Sequence, residues 1–531
     1  LQALLPDGQY SVFSKSAGLP AWHHSNLEPM KLAPALLLLC FTSLSFLAPL
    51  HAQEEKLPNI LFIYADDQSH RTVSCYPEAF DWVKTPNIDA LAEQGVRFAN
   101  AYIGTWCMPS RATLLTGHHP YAIQSMRMEG QYPGSEYDPE QCPFWPKEFR
   151  KQGYLTAQIG KWHTGTDTGM GRDWDYQIVW NRPKYPKNAG KYFYDQIITF
   201  NDGTTETVKG YSTDNYTDWA LEFIRGEKGR DAEPDKPWYL WLCYGAVHGP
   251  FTPADRHIGE YADVEVPIPA DIFSPREGKP DWMQKINHFK KGEDGQVMIG
   301  NKTFEDAVRQ YHEGVLGIDE GVAKVIAALK ETGQYDNTLI VYTADQGFAW
   351  GQHGFRRKVA GYDATIRAPL IVSMPSKLPT GKVCEQPVGG IDLVPTFYDF
   401  AGLEMPWKMH GNSLRPLLEK PESTWDTPAL ITYTGRMYGA DTESVPKQQD
   451  VFQNGVPWYS MVRQGRYKYI RSLVAGELDE FYDLEKDPEE LVNLAQNPEY
   501  AAKVAEYRQM LTAELKRTEA KFADDLPPVR E

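Results

Sequence analysis

Cysteine is scarce in this chain: there are six in 531 residues, and no spacing among them suggests a metal site. Positive charge is also short, with 54 Lys and Arg against 71 Asp and Glu and a net charge of −17. A polyanion is repelled by such a chain at long range, which disfavours nucleic acid as a partner. Any anionic substrate must instead be drawn in by a local basic pocket. No apolar run of helix length follows residue 52, which argues against a transferase built on a membrane domain. Internal repeats and low-complexity tracts are absent too. What is present, 42% hydrophobic and 24% charged residues, is the composition of a large globular protein with room for one big α/β domain and a smaller one.

The one long apolar run lies near the beginning. Met30-Lys31 opens MKLAPALLLLCFTSLSFLAPLHA, and Ala52 precedes a polar QEEK. This predicts a secretory signal peptide over 30–52, cleaved after Ala52, and an exported protein, periplasmic or secreted. Residues 1–29 then read as translated upstream sequence. A retained membrane anchor is the competing reading. A lipid anchor is disfavoured because LLLL, not small residues, precedes Cys40.

Short β-rich apolar runs alternate with helical patterns. Buried strands are predicted at Asn59–Tyr64, Val96–Tyr102, Tyr154–Ile159, Trp238–Ala246, Leu339–Thr343 and Leu370–Met374, and helices at Ile88–Gln94 and Phe304–Lys330. Such alternation implies an α/β fold with a largely parallel sheet covered on both faces, and ligands beyond the strand C-termini. Asp66, Asp67, Lys161, His163, His248, Asp345 and Gln346 all follow predicted strand ends, which argues for one shared site. After Gly411 the pattern changes to short strands near 429–434, 459–464, 467–471 and 480–484 and an amphipathic helix over 498–520. The expected organisation is a catalytic domain over 53–411 and a small antiparallel α+β subdomain over 412–531. Between them in character, Trp174–Tyr194 interleaves Arg182, Lys184, Lys187 and Lys191 with aromatics. It reads either as a loop that stacks on sugars and pairs with sulfates or as a solvated surface excursion.

Two groups carry chemistry. Cys107-Met108-Pro109-Ser110-Arg111 begins as a loop and becomes a helix, with Pro109 expected at the first helical position. A nucleophile there meets the positive end of the helix dipole and a fixed cation, Arg111, which suits a charged ester. A buried structural cysteine is the bland alternative. Asp66 and Asp67 end an apolar strand, and adjacent carboxylates are favourable there mainly around a cation. Asp345 and Gln346, arriving on another strand, complete an oxygen-rich shell of the kind Ca²⁺ accepts, while the absence of His and Cys from these pairs disfavours zinc.

The run CMPSRATLLTG, the segment GYLTAQIGKWH over 153–163, and PNILFIYADDQ, KTPNIDALAEQGVRFANAY and ADQG, in that order, resemble the formylglycine-dependent sulfatases. Thr105 and Trp106 are bulkier than that family usually has, and Gln346 stands where Asn or His is commoner. The resemblance implies an alkaline-phosphatase-like fold and oxidation of Cys107 to formylglycine by a formylglycine-generating enzyme. It also implies Ca²⁺ held by Asp66, Asp67, Asp345 and Gln346. In similar sulfatases the hydrated aldehyde attacks sulfur with one oxygen, the alcohol leaves, and the second hydroxyl loses its proton as sulfate is expelled. By resemblance, His163 takes that proton and Lys161 and Arg111 hold the formylglycine oxygens. His248 and Lys358 bind sulfate oxygens and protonate the leaving alcohol; Arg356, Arg357 and His353 are ambiguous neighbours.

The reading is then a sulfatase, with a sulfated polysaccharide or oligosaccharide as substrate. Its alternatives are a phosphonate or phosphate monoester hydrolase, which shares nucleophile and metal, and a catalytically inactive glycan-binding homologue. With Cys40 removed and Cys107 oxidised, Cys75, Cys142, Cys243 and Cys384 remain as thiols, Cys243 expected to be strand packing.

Overall fold

A computed structural model describes residues 56–127, 136–446 and 455–530. The signal peptide and the upstream segment expected before residue 53 lie outside these residues. No helix among the described residues is long and apolar enough to cross a membrane.

Strands form where apolar, aromatic and β-branched residues run together. Asn59–Ala65 (NILFIYA), Trp238–Cys243 (WYLWLC) and Thr338–Ala344 (TLIVYTA) are buried along their whole length, as strands covered on both faces must be. With Leu155–Lys161 and Tyr176–Trp180 they make a parallel centre, in the spatial order 338–344, 59–65, 238–243, 155–161, 176–180. Antiparallel strands widen it on both sides. Leu370–Ser373, Val96–Tyr102 and Arg367–Ala368 continue one edge, and Gln196–Thr199 and Thr205–Val208 the other. Lys382–Gly389 adds to Val96–Tyr102 in parallel, making an eleven-stranded sheet.

The register of the centre positions the site. Ala65 pairs with Ala344, Tyr64 with Cys243, and Cys243 with Gly160, so the strand ends lie level. The residues that leave these ends therefore emerge side by side at one edge of the sheet, as parallel topology dictates. The helix Phe304–Glu331 is started by Thr303, whose side chain accepts the Asp306 N–H, and it packs along Ser212–Arg225 and Pro86–Glu93.

Past residue 411, Ala429–Tyr433, Tyr459–Gln464, Tyr467–Ser472 and Glu480–Asp483 form a four-stranded antiparallel meander. The helix Ala501–Arg517 buries Val504, Tyr507, Leu511 and Leu515 in a cluster with Val462, Tyr469 and Phe481 of the meander. A separate apolar cluster joins Tyr102, Phe355 and Ile366 to Ile431, Tyr459, Ile470 and Tyr482. A polar knot locks the same seam: Asp363 accepts from Lys468 and from the Tyr102 hydroxyl at 2.7 Å and from Arg463 at 3.1 Å. The meander and the large sheet thus share a core.

Candidate active site

The helix Cys107–Thr116 begins two residues before the expected start: Cys107 is its first residue and Pro109 its third. Pro is tolerated there because the first four N–H groups of a helix have no partner within it. All ten residues are buried. The segment before it is pressed so close that a Cβ on Gly104 would stand 1.9 Å from Ser110 Oγ, and Ser110 Oγ donates to the Trp106 carbonyl at 2.7 Å. At the far end Gly117 takes the left-handed conformation, φ 73°, and donates to the Thr113 carbonyl. The helix is held at both ends, and its N-terminus points Cys107 at the ends of the parallel strands.

Around Cys107 gather three carboxylates from strand ends and three cations, Lys161 from a strand end, Lys358 from the loop after Arg357, and Arg111 from the helix itself. Asp66, Asp67, Asp345 and Cys107 each offer an atom within 4.8 Å of the others. Asp67 takes a left-handed backbone, φ 59°, and its N–H donates to Asp345 Oδ1 at 2.9 Å. Lys161 grips Asp66, and Lys358 reaches both Asp67 and Cys107 Sγ, the latter at 3.0 Å. Arg111, one turn along the helix, donates to the Lys161 carbonyl at 2.9 Å and lies 3.8 Å from Asp345 and 4.0 Å from Asp66.

The donor set suits a hard cation. Asp66 Oδ1, Asp345 Oδ2 and Gln346 Oε1 are buried without a hydrogen-bond partner, a costly state for an oxygen unless a ligand takes the lone pair. The charge balance around them agrees. Burial, then the neighbouring Asp66 and Asp67, push the Asp345 carboxyl well above the usual range. Asp66 resists burial through Lys161, which holds it well below that range. The sequence argument against zinc is weaker in three dimensions, because His248 and Cys107 also come within ligand distance of Asp66.

The two histidines are held by different contacts. Lys161 is the last residue of its strand, and His163, two residues on, adopts φ 63°. Its ring turns to Arg182, whose Nη2 is 2.6 Å from His163 Nε2. Burial, then Lys161, keeps His163 well below the usual histidine range. His248 bonds the Gly249 carbonyl through Nδ1 at 2.8 Å, and its Nε2 lies 3.7 Å from Asp67. It stacks on Tyr192, centroids 4.1 Å apart and 1° from parallel, and burial pushes it down to about 4.

Arg182 and Tyr192 are the site residues missing from the sequence reading. The basic, aromatic run at 174–194 drew notice, but as a loop, either stacking on sugars and pairing with sulfates or solvated, and not as a strand that sets Arg182 beside His163. In fact Tyr176–Trp180 is a strand of the main sheet, and Trp174, Trp180, Arg182 and Tyr192 are buried. Arg182 stands two residues beyond that strand's end, the same position that marks His163 on its neighbour, so register was the available signal. Of the other basic residues, Lys184 and Lys187 are exposed and Lys191 is half-buried. His353 is outside the cleft: it pairs with Asp271 at 2.7 Å and packs on Tyr362. Arg356 and Arg357 do belong to it, on a two-residue strand paired with Ala349–Trp350. All five described cysteines are free, and Cys243 is buried in its strand as expected.

Above Cys107 a cleft of about 680 Å³ opens, with Asp67, His248 and Lys358 in its wall beside Trp106, Phe251 and Trp350. A solved structure in complex with its substrate, D-glucosamine-2-N,6-O-disulfate, superposes with a TM-score of 0.73 at 26% identity, over 88% of this chain and all of that one. The N-acetylglucosamine-6-O-sulfatase of Bacteroides thetaiotaomicron is 29% identical over 98% of this chain and 97% of its own. The arylsulfatase of Clostridium perfringens is 26% identical over 88% and 96%. The model of N-sulphoglucosamine sulphohydrolase C-terminal regions matches residues 351–519. Because the Sulfatase family model matches residues 58–403, the stretch that contains the ends of the parallel strands and the Cys107 helix, this chain belongs to the sulfatase family and is a sulfuric ester hydrolase.

Proposed function

We propose that this sulfatase removes sulfate from a sulfated oligosaccharide or polysaccharide, with residue 107 as a formylglycine nucleophile beside a Ca²⁺ ion. The observation that carries this is the placement of Cys107 as the first residue of a buried helix, with Lys358 3.0 Å from Sγ and three carboxylates within reach. Similarity to the glucosamine sulfatase and to the structure bound to a disulfated glucosamine supports a sugar substrate. In this reading Cys107 Sγ marks where the hydrated aldehyde carries its oxygens, one of which supplies the nucleophile and the other the means of expelling sulfate. Asp66, Asp67, Asp345 and Gln346 would hold Ca²⁺, whose chemistry is to neutralise the ester's charge and favour ionisation of the nucleophile.

The chain's own groups divide the remaining work. Arg111 and the helix N-terminus offset negative charge at position 107, and Lys161, tied to Asp66, fixes the oxygens there. Lys358, spanning Asp67 and residue 107, binds a sulfate oxygen. His163, kept neutral by burial and cations, accepts the proton released with sulfate, and Arg182 orients its ring. His248 faces the cleft and delivers a proton to the departing alcohol. Export through the 30–52 signal, maturation by a formylglycine-generating enzyme, and a division into residues 53–411 and 412–531 belong to the same proposal. Expression with and without that maturation enzyme tests it: activity should require it, and the peptide containing residue 107 should show the aldehyde by mass spectrometry. Full activity with an intact thiol would remove the nucleophile.

A further inference from the structure

The chain has a net charge of −17, yet its main cleft reverses that balance. Lys302, Arg356, Arg357, Lys358 and Arg436 line it against one carboxylate, Asp67. Lys358 is engaged by Asp67 and Cys107, and Lys302 donates to Gln310. Arg356, Arg357 and Arg436 are exposed and have no ion-pair partner among the described residues. Other exposed arginines behave differently: Arg172, Arg256 and Arg466 each sit between two acids. Adjacent guanidinium groups repel one another. An anion among them would relieve that repulsion.

The cations converge from separate parts of the chain. Arg357 lies on the short strand paired with Ala349–Trp350, and Arg436 in the turn after Ala429–Tyr433. Both act on the same group, the Tyr433 hydroxyl: burial raises it, and Arg357 and Arg436 pull against that rise. The cleft also has an aromatic wall, in which the Phe251 ring lies 5.1 Å from Trp350 and 5.4 Å from Phe348. Such a wall takes the apolar face of a sugar ring while fixed cations take its charged substituents.

We propose that Arg357 and Arg436 form a subsite for a second oxyanion on the substrate, a sulfate or a carboxylate on the sugar bearing the scissile ester or on its neighbour. These residues thereby select multiply charged glycans over singly charged esters. The inference rests on the sulfatase reading of the same cleft, and goes beyond it by assigning the rim residues. A small aryl sulfate engages only the deep end, at residue 107, His248 and Lys358.

The test uses the full matured enzyme and the Arg357→Ala, Arg436→Ala and double variants, with Lys184→Ala, an exposed change outside the cleft, as control. Substrates are glucosamine 6-O-sulfate, glucosamine 2-N,6-O-disulfate, a 6-O-sulfated glucosamine linked to a uronic acid, and p-nitrophenyl sulfate. The ratio of kcat/KM for a doubly charged sugar to that for p-nitrophenyl sulfate should fall about tenfold or more in the double variant, mainly through KM, as expected for loss of a charge-assisted contact. The control should keep the wild-type ratio. The disulfate and uronate arms show which oxyanion the subsite takes. A ratio unchanged in the double variant overturns the proposal. Calorimetric binding of the disulfated sugar to the unmatured protein separates the two readings. If no ester is hydrolysed but binding occurs and the double variant loses it, the catalytic reading fails and the subsite stands. Binding that is absent from the wild type, or survives both substitutions, removes the subsite whatever the activity.

Discussion

Arg182 presents Nη2 to His163 Nε2 at 2.6 Å, although the two residues leave neighbouring strands 19 positions apart. A guanidinium only donates, so the contact makes Nε2 the acceptor and places the ring proton on Nδ1. His163 is thereby fixed in one tautomer and kept uncharged, and the Arg182 contact must open for Nε2, which carries the ring's one free lone pair, to take a proton.

Replacing Arg182 tests this control of His163. Arg182→Gln removes a cation from beside a ring that burial and Lys161 already hold well below the usual range. The histidine pKa should rise, and since the neutral form is the active one, the acid limb of the kcat profile should move to higher pH. A lowered kcat with an unmoved profile would mean that Arg182 only packs the site.

Cys107 should be inert before maturation. Burial, then Asp66, pushes its thiol up to about 12, so at pH 8 its thiolate fraction is on the order of 10⁻⁴, against roughly a quarter for a free cysteine of pKa 8.5. Alkylation of unmatured, chelator-treated protein by iodoacetamide should therefore be at least about a hundredfold slower at residue 107 than in the urea-unfolded chain. Mass spectrometry of the peptide would show it. Labelling at the free-cysteine rate would contradict the burial argument. Cys107→Ala should be inactive under all conditions.

Chelation should abolish turnover, with calcium restoring it better than zinc. Binding should also be visible without activity. A ligand at a hundred times its Kd stabilises the folded state by about 2.7 kcal/mol, so calcium should raise the melting temperature of the unmatured protein by several degrees. Asp67→Asn should weaken that shift. An identical melt with and without calcium would argue against the site.

His248 carries a pH signature of its own. Burial takes it down to about 4, with Asp67 and Asp66 pulling the other way, so it is neutral at pH 7 in the free enzyme. Bound sulfate adds negative charge beside it and should raise that value. A general acid must be protonated, so kcat for esters of high-pKa alcohols should fall as pH rises through the pKa of His248 in the complex. Esters of acidic phenols should show little of that decline. His248→Ala should erase the difference; equal losses for both ester classes would remove the assignment.

The seam between the large sheet and the meander should be a point of weakness when altered. Asp363 is buried among Lys468, Arg463 and Tyr102. Burial alone would raise its pKa, but Lys468 and then Arg463 hold the carboxyl well below the usual range. Asp363→Asn leaves Arg463 without its carboxylate and Lys468 with Glu490 alone, and should cost about 3–5 kcal/mol in urea unfolding. A depressed carboxylate stabilises above its unfolded pKa of about 3.9 and loses that contribution as pH falls through its folded value. The gap between wild type and variant should accordingly narrow below about pH 4. A constant gap would show that packing, not charge, sets the cost.

Four of the five strands of the parallel centre were legible because their signal is local. Apolar runs such as NILFIYA and TLIVYTA need no long-range information to be read as buried strands, and Tyr459–Gln464 was placed to the residue. The acids beyond two of those strands, and the CMPSR run that resembles the sulfatases, then pointed to one edge of one sheet. Helix starts were harder. Pro109 is compatible with several positions in the first turn, and only the structure, in which Trp106 is extended and its carbonyl accepts the Ser110 N–H at 3.1 Å, shows that the helix begins at Cys107.

What the sequence determined by itself was the order of strands and helices, the kinds of groups available, and the family to which they belong. Which of those groups meet was decided only by the tertiary structure. Level strand ends bring Asp66 beside Asp345 across 279 positions, a left-handed turn at His163 sets its ring against Arg182, and the fold-back of the meander sets Arg436 in the cleft that Arg357 lines. The reason is physical: hydrophobic periodicity is encoded within a few residues of chain, whereas register and crossovers, which set contacts between charges, depend on the free energy of the whole packed sheet.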